Sequence, residues 1–326
     1  MKNNLLQSTK AGALALAAAA LLFPGATLEA QIFVTNSDSI SEYTTSGALV
    51  KAKLVKGLDG AEGIAVSGGD LFVVNEKSGT IGEYTTSGVT INASIVSGLS
   101  SPTAIAVSGS YLYVGSNDTK YGGYEIGVYT TSGTPVGGSS FTSGGVGDLA
   151  ASGGLLYGTV SIPMTSLYQT NAGASIVEYG AGGVELGSSA SLRTILNGIA
   201  VDAGVNMFVT DDSGGILEFI ANASNPISGR FASFGAQMIG ADGLAVSGDD
   251  LFVSNGAAIG EYTTSGATVN ASLVSGLSST GYIAVETGVP DPTNVQAVPE
   301  PNTTMLFGVA VVCFCSAVRP RKQARA

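Results

Sequence analysis

The stretch IGEYTTSGVTINASIVSGLSSPTAIAV, Ile81 to Val107, returns as IGEYTTSGATVNASLVSGLSSTGYIAV, Ile259 to Val285, with 21 of 27 positions unchanged. A unit that recurs this closely, with looser copies between, marks a repeat array in which each unit buries its apolar surface against its neighbours. Period and phase therefore set the architecture before any residue is read as chemistry.

Working outward, the units align on a short inner strand: Ile64-Ala65-Val66, Ile105-Ala106-Val107, Leu149-Ala150-Ala151, Ile199-Ala200-Val201, Leu244-Ala245-Val246 and Ile283-Ala284-Val285, spaced 41, 44, 50, 45 and 39 residues apart. A second strand reads IFVTN from Ile32, LFVVN from Leu71, LYVGS from Leu112, LYGTV from Leu156, MFVTD from Met207 and LFVSN from Leu251. A third carries Ile-x-Glu-Tyr or its variants, and a less regular fourth follows. Ser67-Gly68-Gly69-Asp70 and Ser247-Gly248-Asp249-Asp250 separate the first two strands, and Ser-Gly pairs at 87, 132 and 265 follow the third. Glycine there supplies the positive φ that tight hairpin turns require, so each unit is an antiparallel meander.

In Leu71-Phe72-Val73-Val74 both strand faces are apolar, which suits a sheet covered on both sides. Sheets stacked radially as blades have that property, and small Ala65, Ala106, Ala200 and Ala245 fit crowding near an axis. Periods of about 40–50 residues with four strands per unit belong to β-propellers. The first unit begins at its second strand, Ile32, with no inner strand before it, while the last unit is followed by an orphan inner strand, Ile283 to Val285. The expected fold is all-β: a six-bladed propeller of four-stranded antiparallel blades over residues 31–288, closed by Ile283–Val285 joining the first blade. The run Gly-Ile-Ala-Val, turn, Leu-Phe-Val-x-Asn, glycine turn, Ile-x-Glu-Tyr resembles the NHL-type six-bladed propellers. That likeness implies architecture and leaves activity open, because such rings serve as binding modules, lactonase-like hydrolases and scaffolds alike.

Charge and composition exclude several functions. Between Gln31 and Pro301 there are 7 Lys or Arg and 23 Asp or Glu, a net charge of −16 that repels phosphate backbones and argues against nucleic acid as a partner. The chain has no histidine, which removes imidazole acid–base chemistry, Ser-His and Cys-His nucleophiles and imidazole-held zinc. Its two cysteines, Cys313 and Cys315, lie beyond the repeats and staple nothing within them.

The ends read as an address. Residues 1–30 form a secretory signal: Lys2 and Lys10, an apolar run from Ala11 to Phe23, then Leu28-Glu29-Ala30 as a small-residue cleavage site before Gln31. The alternative, a membrane anchor, is disfavoured by a run shorter than the ~20 residues a span needs and by the breaker Pro24-Gly25. After a linker over 289–297 come Val298-Pro299-Glu300-Pro301, an apolar stretch from Thr303 to Val318, and Arg319-Pro320-Arg321-Lys322 with Arg325. Residues 298–326 resemble the PEP-CTERM sorting tag of Gram-negative bacteria. The resemblance implies recognition by an exosortase-type enzyme, transient inner-membrane association, processing near Pro299-Glu300-Pro301, and delivery to the cell surface or extracellular matrix of a cell exporting polysaccharide. A tail kept as a permanent anchor is the alternative.

Candidate binding residues come from position. Asn36, Asn75, Asp211 and Asn255 end the second strand in four blades and fall on one face of a closed ring, where they form a polar ring for a cation or sugar hydroxyls. The local alternative is that each bonds the backbone of the turn it begins. The connection between second and third strands lengthens from Asn117 to Glu125 in the third blade and from Ser161 to Ser175 in the fourth. It carries Asn117, Asp118, Tyr121, Tyr124 and Tyr168, a mixture suited to stacking on sugar rings and bonding hydroxyls. The third-strand acids Glu42, Glu83, Glu178, Glu218 and Glu261 recur in five blades, with Val128 in the remaining one, and so read as blade-building. No cofactor is expected, though Asp211-Asp212 leaves room for a divalent cation such as calcium. The function expected is an exported, non-enzymatic propeller that binds or scaffolds cell-surface or extracellular polysaccharide. The alternative is a divalent-cation-dependent hydrolase like the propeller lactonases, which gather acid and amide ligands at the central channel.

Overall fold

In the computed structural model of the chain, the residues described are 30–118, 123–136, 141–143, 145–162, 173–180, 185–189, 194–222, 225–234, 241–277 and 281–286. They form six four-stranded antiparallel sheets. Blade 1 is assembled from both ends of the repeat array, in the order Ile283–Glu286, Gln31–Asn36, Ser39–Thr44 and Leu49–Lys56. The inner strands of blades 2 to 6 are Ala61–Ser67, Pro102–Ser108, Gly145–Ser152, Leu196–Val201 and Leu244–Ser247. Each inner strand touches the next all the way round, Leu244–Ser247 meeting Ile283–Glu286 and that strand meeting Ala61–Ser67. The ring is closed, as the phase of the repeats predicts.

Closure rests on a register in which Ile32 lies opposite Val285, Phe33 opposite Ala284 and Val34 opposite Ile283. Thr35 continues it, its backbone N–H donating to the Tyr282 carbonyl at 3.0 Å. Alternate residues of the second strand then face different neighbours. Ile32 and Val34 pack with Ala245, Phe252 and Ile259 of blade 6, whereas Phe33 packs with Ile64, Leu71 and Val73 of blade 2. The seam between blades 2 and 3 repeats this pattern with Phe72, Val74, Ile105, Leu112 and Val114. Two-sided apolar strands are thus what a radial stack demands, and the seam holding the chain ends is built like the others.

One buried position breaks the apolar rule. The fourth residue of the second strand is Thr35, Thr159, Thr210 or Ser254 in blades 1, 4, 5 and 6, each with no exposed surface. Inner strands are bulged where they leave the axis, between Val146 and Leu149 and between Leu196 and Ile199, which removes a ladder partner from a backbone N–H. The hydroxyls take those donors: Thr159 Oγ1 accepts from Asp148 N–H at 2.9 Å and Thr210 Oγ1 from Gly198 at 2.9 Å; in blade 6, Ser254 Oγ accepts at 2.7 Å from Gly243, just before the inner strand. A buried N–H left without such a partner would cost about 1–3 kcal/mol.

The Thr-Thr-Ser-Gly turn after the third strand is a second repeated device. Thr44, Thr85, Thr130 and Thr263 each pair hydroxyls with the serine two residues on and accept the backbone N–H four residues on. At Gly47, Gly88 and Gly133 the following glycine has positive φ and sits against the outer strand of the preceding blade: at Gly88, φ is +89° and an added Cβ would lie 2.6 Å from the Leu54 carbonyl oxygen. Gly88→Ala should therefore destabilise the ring by about 1–3 kcal/mol through strain and overpacking together, read as a lower chemical-denaturation midpoint at unchanged slope.

The third-strand acids are spread round the ring, not gathered. Glu42, Glu83, Glu178, Glu218 and Glu261 lie opposite Phe33, Phe72, Tyr157, Phe208 and Phe252 of the second strand, one pair per blade. In blade 3, Tyr113 faces Val128 instead. Burial raises the Glu42, Glu83, Glu178 and Glu261 carboxyls above their ordinary value.

Among the described residues no helix is long and apolar enough to cross a membrane. The sorting stretch, including Pro299, Glu300, Pro301 and Thr303 to Val318, lies outside the described residues, as does the signal segment up to Glu29.

Candidate functional site at the axial mouth

Antiparallel geometry puts the start of every inner strand and the end of every second strand on one face of the ring, as the pairs Ala61 with Asn75, Pro102 with Ser116 and Leu196 with Asp211 show. On that face, the second residue before the Ile or Leu of each inner strand varies round the ring. It is Glu62, Thr103, Gly147, Asn197, Asp242 and Gly281 in blades 2 to 6 and 1. The next residue is Gly63, Ala104, Asp148, Gly198, Gly243 and Tyr282. Small residues prevail there because neighbouring backbones converge: a Cβ on Gly198 would lie 2.5 Å from the Asp242 carbonyl oxygen. Asp148 and Tyr282 are the two exceptions.

Tyr282 runs from blade 1 across the axis, and its hydroxyl donates to the Gly147 carbonyl of blade 4, opposite in the ring, at 3.4 Å. Asp148 beside it is buried, with Oδ1 accepting from Leu149 N–H at 2.8 Å and Oδ2 from Ile199 N–H of blade 5 at 3.1 Å. Burial pushes the Asp148 carboxyl up to about 7, the two N–H donors opposing the shift. Burial also raises the Tyr282 hydroxyl, reinforced by the charges of Asp148, Glu62 and Asp242. Together these contacts tie blades 1, 4 and 5 at the axis.

Above this tie, between blades 6, 1 and 2, lies a pocket of about 390 Å³ lined by Thr35, Asn36, Ser37, Ala61, Glu62, Asp242, Gly281 and Tyr282. Burial raises the Glu62 carboxyl first, then the charges of Glu76 and Asp242, with Lys77 pulling the other way; burial also raises Asp242. In blade 5, the neighbour of blade 6, the Asn197 side-chain amide donates to the Ala241 carbonyl at 3.4 Å. Hydroxyl, amide and carboxylate groups therefore converge on one wet opening.

Of the residues expected from sequence, Asn36 lines this pocket, and its amide donates to Ser41 Oγ at 3.0 Å. Asn75 is buried and its amide donates to Thr80 Oγ1 at 3.4 Å. Asp211 is buried, its Oδ1 accepting from Ser213 N–H and Oγ and from Gly215 N–H, the local turn arrangement. Asn255 is half-buried at the end of its strand. In blade 3 the lengthened connection is largely ladder, since Ser116, Asn117 and Asp118 pair with Glu125, Tyr124 and Gly123. The added residues at 116–118 and 123–125 extend the hairpin because the alternation of strand pairing continues through them. The Tyr124 side chain is exposed and lies over Gly145 of blade 4. The side chains of Asn117 and Asp118, and all of Tyr121 and Tyr168, lie outside the described residues. Sequence reading missed Glu62, Asp242, Asp148 and Tyr282. The signals available were two repeat columns: one that varies between blades, holding Glu62 and Asp242, and one of small residues interrupted by Asp148 and Tyr282.

Comparison with known proteins finds the PEP-CTERM protein-sorting motif over residues 297–322. That motif implies recognition by an exosortase and export to the surface or exterior of a Gram-negative bacterium. No curated protein matches the chain. Among solved structures, a chain of a nidogen–laminin complex is similar at 13% identity and TM-score 0.62, covering 80% of this chain and 100% of that one. A Bacteroides caccae protein of unknown function is similar at 12% identity and TM-score 0.57, covering 79% and 98%. The periplasmic gluconolactonase of Pseudomonas aeruginosa is similar at 14% identity and TM-score 0.51, covering 80% and 99%. Likenesses at these identities concern the fold.

Proposed function

We propose that this chain is an exported propeller that binds polysaccharide of the cell surface or extracellular matrix, without turning it over, through the face that carries the axial mouth. The observation that supports this reading is the pocket itself: hydroxyl, amide and carboxylate groups of three blades around one opening, in a chain carrying a surface-sorting motif. Loops on a rigid ring are where recognition is commonly built, and the long hairpins of blades 3 and 4 rise from the same face.

A second reading, a divalent-cation-dependent hydrolase of the lactonase type, is favoured by one observation: Glu62, Asn197 and Asp242 share the same column of the repeat at the mouth. Two carboxylates and an amide are hard oxygen donors of the kind calcium takes, but they are fewer than the six to eight such an ion uses. No group of three acids placed for a metal occurs among the described residues. A glycan array with residues 31–297, run beside lactone turnover with and without chelator, separates the two. Glycan binding without turnover supports the first reading; turnover abolished by chelator replaces it with the second.

A further inference from the structure

The pocket at the mouth has an uneven chemistry. Asn36 and Ser37 on one side offer amide and hydroxyl groups suited to sugar hydroxyls, and Glu62 and Asp242 flank them from the two neighbouring blades. Thr35 is buried, with its hydroxyl donating to the Tyr282 carbonyl at 3.2 Å. At about 390 Å³ the pocket falls within the roughly 300–1,000 Å³ typical of small-molecule sites. Tyr282 crosses the axis behind it, so a ligand enters from the open face and stops there.

The carboxylates are what select among ligands. Glu62 and Asp242 line the same pocket, and the charge of Asp242 acts on Glu62. Lys77 acts on Glu62 more weakly than either neighbouring acid. The ion pair found among the described residues, Lys53 with Asp38 at 2.8 Å, lies on the outer surface. A neutral sugar would partly dry these carboxylates without compensating their charge, which is unfavourable. A primary ammonium group brings one positive charge and three donors, enough for both carboxylates and a neighbouring oxygen. A bare divalent cation asks for six to eight oxygen ligands, more than two carboxylates and their neutral neighbours supply from the protein.

We infer that the mouth takes an amino sugar bearing a free ammonium group, with the ammonium between Glu62 and Asp242 and the ring hydroxyls on Asn36 and Ser37. This assignment rests on the polysaccharide-binding reading above. An amine capped by acetylation loses both the charge and the donors, so the pocket distinguishes de-acetylated from acetylated hexosamine units.

The test is calorimetric titration of the protein, as its host exports it, with four probes: the glucosamine tetramer, the N-acetylglucosamine tetramer, the glucose tetramer and calcium chloride. The glucosamine tetramer should bind at least ten-fold tighter than either neutral tetramer. Its affinity should fall several-fold when salt is raised from about 50 to 500 mM, because the added ions screen the ammonium–carboxylate attraction. Glu62→Gln with Asp242→Asn should remove that preference. If the double variant does not fold, Glu62→Gln alone and the salt series on the parent carry the same comparison. Equal or tighter binding of a neutral tetramer overturns the ammonium assignment and leaves polysaccharide binding standing. Calcium binding with no response to any tetramer overturns both, as does silence from all four probes.

Discussion

A chain ending at Gly281 should lose cooperative unfolding and melt well below one that retains Ile283–Glu286. The deleted strand supplies the inner edge of blade 1, pairing with Gln31, Ile32, Phe33 and Val34. It buries Ile283 and Ala284 between blades 6 and 2. Ile283 alone is worth about 1.5–3 kcal/mol on burial. Its removal also uncovers Ile32 and Phe33 and opens an unpaired sheet edge, so the total loss should exceed about 4 kcal/mol, a large share of the 5–15 kcal/mol typical of a domain. The Tyr282 tie to Gly147 goes with it. Differential scanning calorimetry showing the same melting temperature for both chains would mean that the ring does not depend on its last strand.

The second large effect is on pH. Asp148 is held near 7 against an ordinary value of 3.8, so between those values the folded state binds more protons than the unfolded one. Its contribution is therefore most favourable below pH 3.8 and is lost as pH rises through about 7. At 1.36 kcal/mol per unit, a rise of about three units amounts to roughly 4 kcal/mol between mildly acidic and mildly basic solution. Burial also raises Glu42, Glu62, Glu83, Glu178, Asp242 and Glu261, which act in the same direction. Stability should thus peak on the acid side of neutrality. Asp148→Asn removes the titrating group and one of its two acceptor contacts, so the variant should be less stable near pH 4 and less sensitive to pH above it. Parallel melting curves for parent and variant from pH 4 to 8 would show that Asp148 does not carry this dependence.

The ring was legible in the sequence because a propeller repeats its solution to one packing problem. Leu71-Phe72-Val73 and Leu251-Phe252-Val253 show it directly: residues alternate between two seams, so each position must stay apolar in every blade. Closure was legible from phase, since an inner strand missing at Ile32 and left over at Ile283 has one geometric resolution. The buried hydroxyls of Thr159 and Thr210 were not, because the need for them arises from bulges that appear only when inner strands converge. The mouth was read in part. Asn36 was found because the end of the second strand is polar in most blades. Glu62 and Asp242 were passed over because their column also holds Thr103, Gly147, Asn197 and Gly281, and a column with little repetition looks like noise. In a symmetric scaffold the opposite weighting is the sound one: structure repeats, whereas a site needs different groups in different blades.

The mouth is the claim on which the rest turns, and amide chemical-shift mapping with oligosaccharides released from the host's own exported polysaccharide tests it most directly. Shifts should concentrate at Thr35, Asn36, Ser37, Glu62, Asp242 and Tyr282 and saturate together as ligand is added. Shifts confined to the hairpin strands Tyr111–Asp118 and Gly123–Thr130, with the mouth residues unmoved, would contradict it.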